Sequence, residues 1–202
     1  ALIDALRTKW VEEDCLIGNP LDFSKLEILK SEVRYGSVRA RRVVCCEGRW
    51  GKHNPLFSNL PLTGDKGEAL IVRFSEGIRF HAILKHKVFV APLENGHCWI
   101  GSNYTSLYDD DIPTAQGRPC LEENLRRTLP LPFETLEHRA AIRPTVRDRR
   151  PLMGRHPSYS NLYIFNGLGT KGASLGPFWA RHFADYLQGR LPMHADVDIR
   201  RF

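Results

Sequence analysis

The sequence has no hydrophobic run long enough to cross a bilayer, which takes about 20 consecutive apolar residues, so a membrane-spanning helix is excluded. It shows no internal repeat and no low-complexity tract, which leaves an ordinary packed chain. Cysteine is sparse. Cys15, Cys45, Cys46, Cys98 and Cys120 make an odd count with no C-x-x-C pair, which argues against a disulfide framework and against a zinc site. Reduced thiols fit a cytoplasmic protein. Cys45 and Cys46 sit in an apolar run and are expected to be buried packing residues rather than nucleophiles. The eight histidines are scattered; His81 and His86 are not spaced i, i+4, so no metal site is expected. Asp109-Asp110-Asp111 reads as a solvated loop. No signal peptide opens the sequence, and Ala1 replaces an initiator Met, which reads as a processed chain or a fragment.

What is present is ordinary for a globular chain of 202 residues, with 42% hydrophobic and 26% charged residues. That length holds one large domain or two small ones. The net charge of +6 comes in short clusters such as Arg39-Ala40-Arg41-Arg42 and Arg147-Asp148-Arg149-Arg150. It reads as a basic surface attracting anionic ligands rather than as a nucleic-acid-binding face, which would interleave aromatics.

Residues 1–13 have the periodicity of an amphipathic helix, with Leu2, Ala5, Leu6 and Trp10 on one side, broken at Gly18-Asn19-Pro20. Strands are expected over 25–33 and 38–46 around a turn at Tyr35-Gly36-Ser37. The second ends in Val43-Val44-Cys45-Cys46, apolar on both faces as in a central parallel strand. From 60 to 104 short strands alternate with glycine turns: 68–74, 78–84, 88–92 and 98–101, with a hairpin signal at Glu94-Asn95-Gly96. Residues 120–129 read as a helix, and 139–143 and 161–166 as strands. Pro177 opens a helix through Leu187 that ends at Gly189 and buries Phe178, Trp179, Phe183, Ala184 and Leu187.

Three local patterns bear on chemistry. Gly167-Leu168-Gly169-Thr170-Lys171-Gly172 is a G-x-G-x-x-G between strand and helix, where backbone N–H groups can approach an anion. A self-sufficient dinucleotide site needs a further strand with an acidic end about 20 residues on, and none follows. A ligand-contacting glycine loop and a loop of left-handed turns both remain open. Gly172-Ala173-Ser174-Leu175-Gly176 matches G-x-S-x-G, but Ser174 is too far from the strand to be a nucleophile elbow, and no partner His and Asp follow. Arg143, in Ala141-Ile142-Arg143-Pro144, ends an apolar strand. Its guanidinium either forks a carboxylate in a cleft or closes an internal salt bridge.

Ile142-Arg143-Pro144, Asp148, Arg150-Pro151-Leu152-Met153-Gly154-Arg155-His156-Pro157, Asn161-Leu162-Tyr163, the glycine loop and Gly176-Pro177 occur in one order. So do Ala40 to Gly48, Leu60 to Glu68, and Phe89-Val90-Ala91-Pro92 with Gly96 and Ile100-Gly101. The set resembles the C-terminal part of the D-amino-acid-oxidase-like FAD-dependent oxidoreductases, which include glycine oxidase and sarcosine oxidase.

The resemblance implies a mixed α/β fold in which residues 1–55 and 143–202 belong to a partial, Rossmann-like FAD-binding domain. Residues 56–142 would form a mostly antiparallel substrate domain. It implies FAD as cofactor, contacted by Gly48 and by Gly167, Leu168, Gly169, Thr170, Lys171, Gly172, Ala173 and Ser174. It implies that Arg143 binds the carboxylate of an amine or amino-acid substrate. Thr170 stands where some relatives place a substrate-positioning Arg, and Phe89 where many have a Tyr. The N-terminal dinucleotide-binding unit is absent, so a missing N-terminal segment or a partner chain is expected to complete the flavin site. The rival readings are a non-catalytic interaction module and a subunit completed by another polypeptide, with homo-oligomerisation open.

Overall fold

In the computed structural model, residues 2–75 and 77–202 are described, Leu2 by its backbone alone. The described residues form three α-helices, α1 (Leu2–Glu12), α2 (Gly117–Thr128) and α3 (Gly172–Leu187), and eleven strands in three sheets. The largest sheet has five antiparallel strands, in the order β6 (Leu84–Lys85), β7 (Phe89–Pro92), β8 (Cys98–Gly101), β5 (Asp65–Phe74) and β9 (Phe133–Arg143).

Alternation along its strands gives the sheet two distinct faces. One carries Leu70, Val72, Phe74, Val90, Cys98 and Ile100 against Leu121 and Leu125 of α2. Leu70, Val72, Val90, Ile100 and Leu125 have no exposed surface, each such burial contributing about 1.5–3 kcal/mol. The same face buries Glu68, which accepts hydrogen bonds from Thr114 Oγ1 at 2.8 Å and His138 Nε2 at 2.7 Å, while its backbone N–H donates to Asn103 Oδ1 at 2.7 Å. Gly117, the first residue of α2, is glycine for a steric reason: a Cβ there would overlap the Glu68 carboxylate. The other face carries Asp65, Gly67, Ala69, Ile71, Trp99, Gly101, Phe89 and Arg143 in register and is the one turned to the candidate site.

A second sheet orders β10 (Leu152–Arg155), β11 (Leu162–Asn166) and β4 (Val43–Cys45); β11 pairs antiparallel with β10 and parallel with β4. β4 thus shares one core with strands far along the chain, built on Leu152, Leu162, Ile164, Cys45, Leu62 and Val146. Phe183 of α3 packs with Tyr163, Met153 and Val197 on its far side. The third sheet is the hairpin-built β1 (Leu26–Ile28), β2 (Val33–Tyr35) and β3 (Val38–Ala40), with Gly36 at φ 59° in the turn between β2 and β3.

Several elements depart from the sequence reading. Residues 25–33 split into β1 and the start of β2 around a turn, and 38–46 split into β3 and β4, which belong to different sheets. β4 is parallel to its neighbour but lies at a sheet edge, with Val43 and Val44 only partly buried, Cys45 buried and Cys46 exposed. Residues 78–84 form no continuous strand. β9 begins at Phe133 rather than Arg139, a bulge opposite Ile71/Val72 having broken its alternation. α3 starts at Gly172, so Pro177 lies inside the helix, and Phe178 is 64% exposed instead of buried. α2 begins at Gly117, three residues before the expected start. α1 forms as expected over its described residues, yet Ile3, Trp10 and Val11 remain exposed. Ala1 lies outside the described residues.

Candidate active site

Arg143 is the last residue of β9, directly opposite Asp65, the first of β5. Its guanidinium lies back across β5 at Gly67, where a Cβ would collide with both terminal nitrogens. Nη2 donates to Ser102 Oγ at 2.6 Å, and the guanidinium carbon stacks 4.4 Å from the centre of the Tyr104 ring. Nη1 is buried and has no hydrogen-bond partner. A buried charged donor left unsatisfied costs well over 1 kcal/mol, so Nη1 has bonding capacity to spare for an acceptor. The segment that carries Tyr104 is pinned to β5: Lys66 and Thr105 exchange two backbone hydrogen bonds of 2.9 Å, and Lys66 Nζ reaches Asp110 Oδ1 at 3.1 Å.

Beside Arg143 opens a cavity of about 630 Å³, within the range of small-molecule sites. Asp65 lines it from β5, Tyr104 from the segment after β8, Thr145, Arg147 and Arg149 from the connection after β9, and the loop from Gly167 to Lys171 from the end of β11. The loop leaves β11 where a binding crevice is expected, at the carboxyl ends of parallel strands β4 and β11. Gly167 has φ 74° and sits so close to Val146 that no side chain fits, and Gly169, at φ 57°, donates its N–H to Pro144 O at 2.9 Å. Asn166 Nδ2 ties the loop to the Gly48 carbonyl at 2.9 Å. Near that junction, burial and the Glu47 carboxylate push the Cys45 thiol up to about 12, which makes it an inert packing residue.

Of the residues singled out from sequence, Gly167, Leu168, Gly169, Thr170 and Lys171 line the cavity; Arg143 does not line it, but its guanidinium stacks on Tyr104, which does. Gly172, Ala173 and Ser174 form the first turn of α3, where Ser174 Oγ donates to Lys171 O at 3.1 Å; Leu175 reaches the cavity instead. Gly48 supports the loop from behind without lining the cavity. Phe89 is on the same sheet face as Arg143, opposite Gly101, but outside the cavity lining, with Lys85 Nζ 5.0 Å from its ring. Sequence reasoning missed Asp65, Gly67, Ser102, Tyr104, Arg147 and Arg149. A two-residue alternation from Asp65 through Gly67 was the available signal for the first two; the others are brought in by tertiary contacts.

The family model described as FAD dependent oxidoreductase, of the DAO type, matches residues 24–186. The chain belongs to that family. Among proteins similar to this DAO-family chain, glycine oxidase of Pseudomonas aeruginosa is 26% identical over 162 residues, 78% of this chain and 44% of the relative. A D-amino acid dehydrogenase of Neisseria gonorrhoeae is 28% identical over 196 residues, 89% of this chain and 43% of the relative. The chain therefore spans less than half the length of these curated relatives. In fold it is similar to the crystal structure of glycine oxidase from Bacillus cereus, with a TM-score of 0.71 at 20% identity over 84% of this chain and 52% of that one. It is similar also to iminodiacetate oxidase from Chelativorans sp., with a TM-score of 0.71 at 20% identity over 86% and 51%.

The residues present fit FAD, the cofactor of this family. The glycine loop brings its backbone to the cavity with no side chain at Gly167 or Gly169, and Arg147, Arg149 and Lys171 line the space with positive charge. No group of three or more metal-ligating side chains occurs among the described residues, and no described helix is long and apolar enough to cross a membrane.

Proposed function

We propose that the chain forms the substrate-facing part of an FAD-dependent enzyme that oxidises an amine or amino acid at the carbon bearing the nitrogen. The observation that carries this reading is the buried, unpartnered Nη1 of Arg143 beside a cavity walled by the glycine loop. FAD, when bound, supplies the hydride acceptor. The chain's own residues position the reactant: Arg143 clamps the carboxylate, with Ser102 and Tyr104 fixing the fork's direction. The loop at Gly167 to Lys171 would hold the flavin with its backbone dipoles, and Gly48 holds that loop through Asn166. Thr170 lines the cavity as a short polar contact. Phe89 extends the sheet face beside Gly101 and shapes the approach to Arg143.

In this reading residues 1–55 and 143–202 face the flavin, residues 56–142 face the substrate, and a longer cytoplasmic protein supplies the dinucleotide-binding segment. Relatives of about twice the matched length support that view, as do the exposed apolar side chains Ile3, Trp10, Val11 and Trp50. Replacing Arg143 by Lys, which keeps the charge but not the fork, should raise KM for a carboxylate substrate about 10- to 100-fold. Steady-state kinetics of the flavin-loaded enzyme checks this, and an unchanged KM would overturn the assignment.

A further inference from the structure

We propose that Asp65 recognises the substrate's amine, so that the site selects an α-amino acid as its zwitterion; this rests on the reading of Arg143 as the carboxylate clamp. Asp65 and Arg143 are opposed in the β5–β9 ladder, and their side chains leave the same face of the sheet. Opposed residues bring their Cβ atoms to about 5 Å, and an acid and an arginine so placed ordinarily pair. Here they do not. Arg143 turns away over the space left by Gly67, towards Ser102 and Tyr104.

Asp65 is left half-buried at the cavity wall, its carboxylate without hydrogen bond or ion pair among the described residues. Among the cavity-lining side chains it is the one acid; Arg147, Arg149 and Lys171 are the bases, and none lies within ion-pairing distance of it. One unpaired carboxylate thus lines the cavity, and the residue opposite it in the ladder carries one unpaired guanidinium nitrogen. An amino acid presents the complementary pair, a carboxylate and an ammonium on one carbon. Binding both ends fixes the rotation of the α-carbon between them, which the clamp on the carboxylate alone leaves free. A simple carboxylate meets the Arg143 fork but also the repulsion of Asp65.

The test is equilibrium binding to the flavin-loaded protein of two redox-inert isosteres, glycine betaine and 3,3-dimethylbutanoate. They have the same shape and carboxylate, and differ in a quaternary nitrogen against a quaternary carbon. The wild type should bind betaine about tenfold more tightly. Asp65→Asn should abolish that preference without weakening 3,3-dimethylbutanoate, and Arg143→Gln should weaken both alike. No preference in the wild type, or a preference that survives Asp65→Asn, overturns the role of Asp65 and leaves the clamp standing. Undiminished binding of both ligands by Arg143→Gln overturns the clamp, and no binding of either ligand to the wild type overturns both.

Discussion

At Gly67 a single missing methyl group decides where Arg143 can lie. A Cβ there would meet the guanidinium, the far end of a flexible side chain, so the side chain and not the backbone would give way. Gly67→Ala should therefore keep the fold, with a urea midpoint close to wild type. It should weaken carboxylate binding about 10- to 100-fold, because Nη1 and Nη2 no longer reach their present positions. Isothermal titration with an inert carboxylate beside an unfolding curve separates the two effects. The glycine at 117 makes the opposite case. There the colliding atoms belong to Glu68, 1% exposed and bonded on both oxygens, and nothing around it can yield. Gly117→Ala should cost about 3 kcal/mol of stability by prising a buried carboxylate from its partners, read as a lower urea midpoint.

Among the elements, the C-terminal segment is held to the connection after β9 by charge. Asp148 accepts from Arg201 Nε at 2.8 Å and Nη2 at 3.3 Å, and from the Arg150 N–H at 3.1 Å. Partial burial acts to raise the Asp148 pKa and is the largest single influence, but the bonds from Arg201 and Arg150 together outweigh it and hold the carboxyl below its ordinary 3.8. A folded-state value below the unfolded one stabilises the native form above that ordinary value, and the gain is lost as pH falls through the lowered one. Asp148→Asn should thus lower Tm at pH 7 and shrink the difference from wild type as the pH drops below about 4. A Tm difference that is flat across that range would show the pair to be without weight.

For the whole molecule, the apolar face of α1 is the feature that the described residues leave without a function of its own: Ile3 is 74% exposed and Val11 59%. A helix so patterned is stabilised by what it packs against rather than by its propensity. A version extended at its N-terminus should bind FAD stoichiometrically, with the visible absorption of a flavoprotein, and the 202-residue chain should bind it weakly. Absence of flavin in both would favour a non-catalytic module.

Elements whose signals are local could be read from the residues alone. The strand at 162–166, the glycine loop, the β7–β8 hairpin and the family follow from apolar runs, turn residues and ordered motifs, none of which needs distant partners. Arg143 could be singled out because a charge ends an apolar strand. The division of residues 25–46 among two sheets was not legible, since β4 pairs with β11 more than 100 residues away and only that contact makes it a strand of the second sheet. β10 escaped notice because Gly154 and Arg155 dilute its pattern, and its burial comes from pairing with β11 and from Val197. Asp65, Ser102 and Tyr104 reach one site with Arg143 through the register of β5 with β8 and β9. Register is fixed by which apolar face is buried against α2, and that is a property of the packed sheet, so these residues became a site only in the tertiary structure.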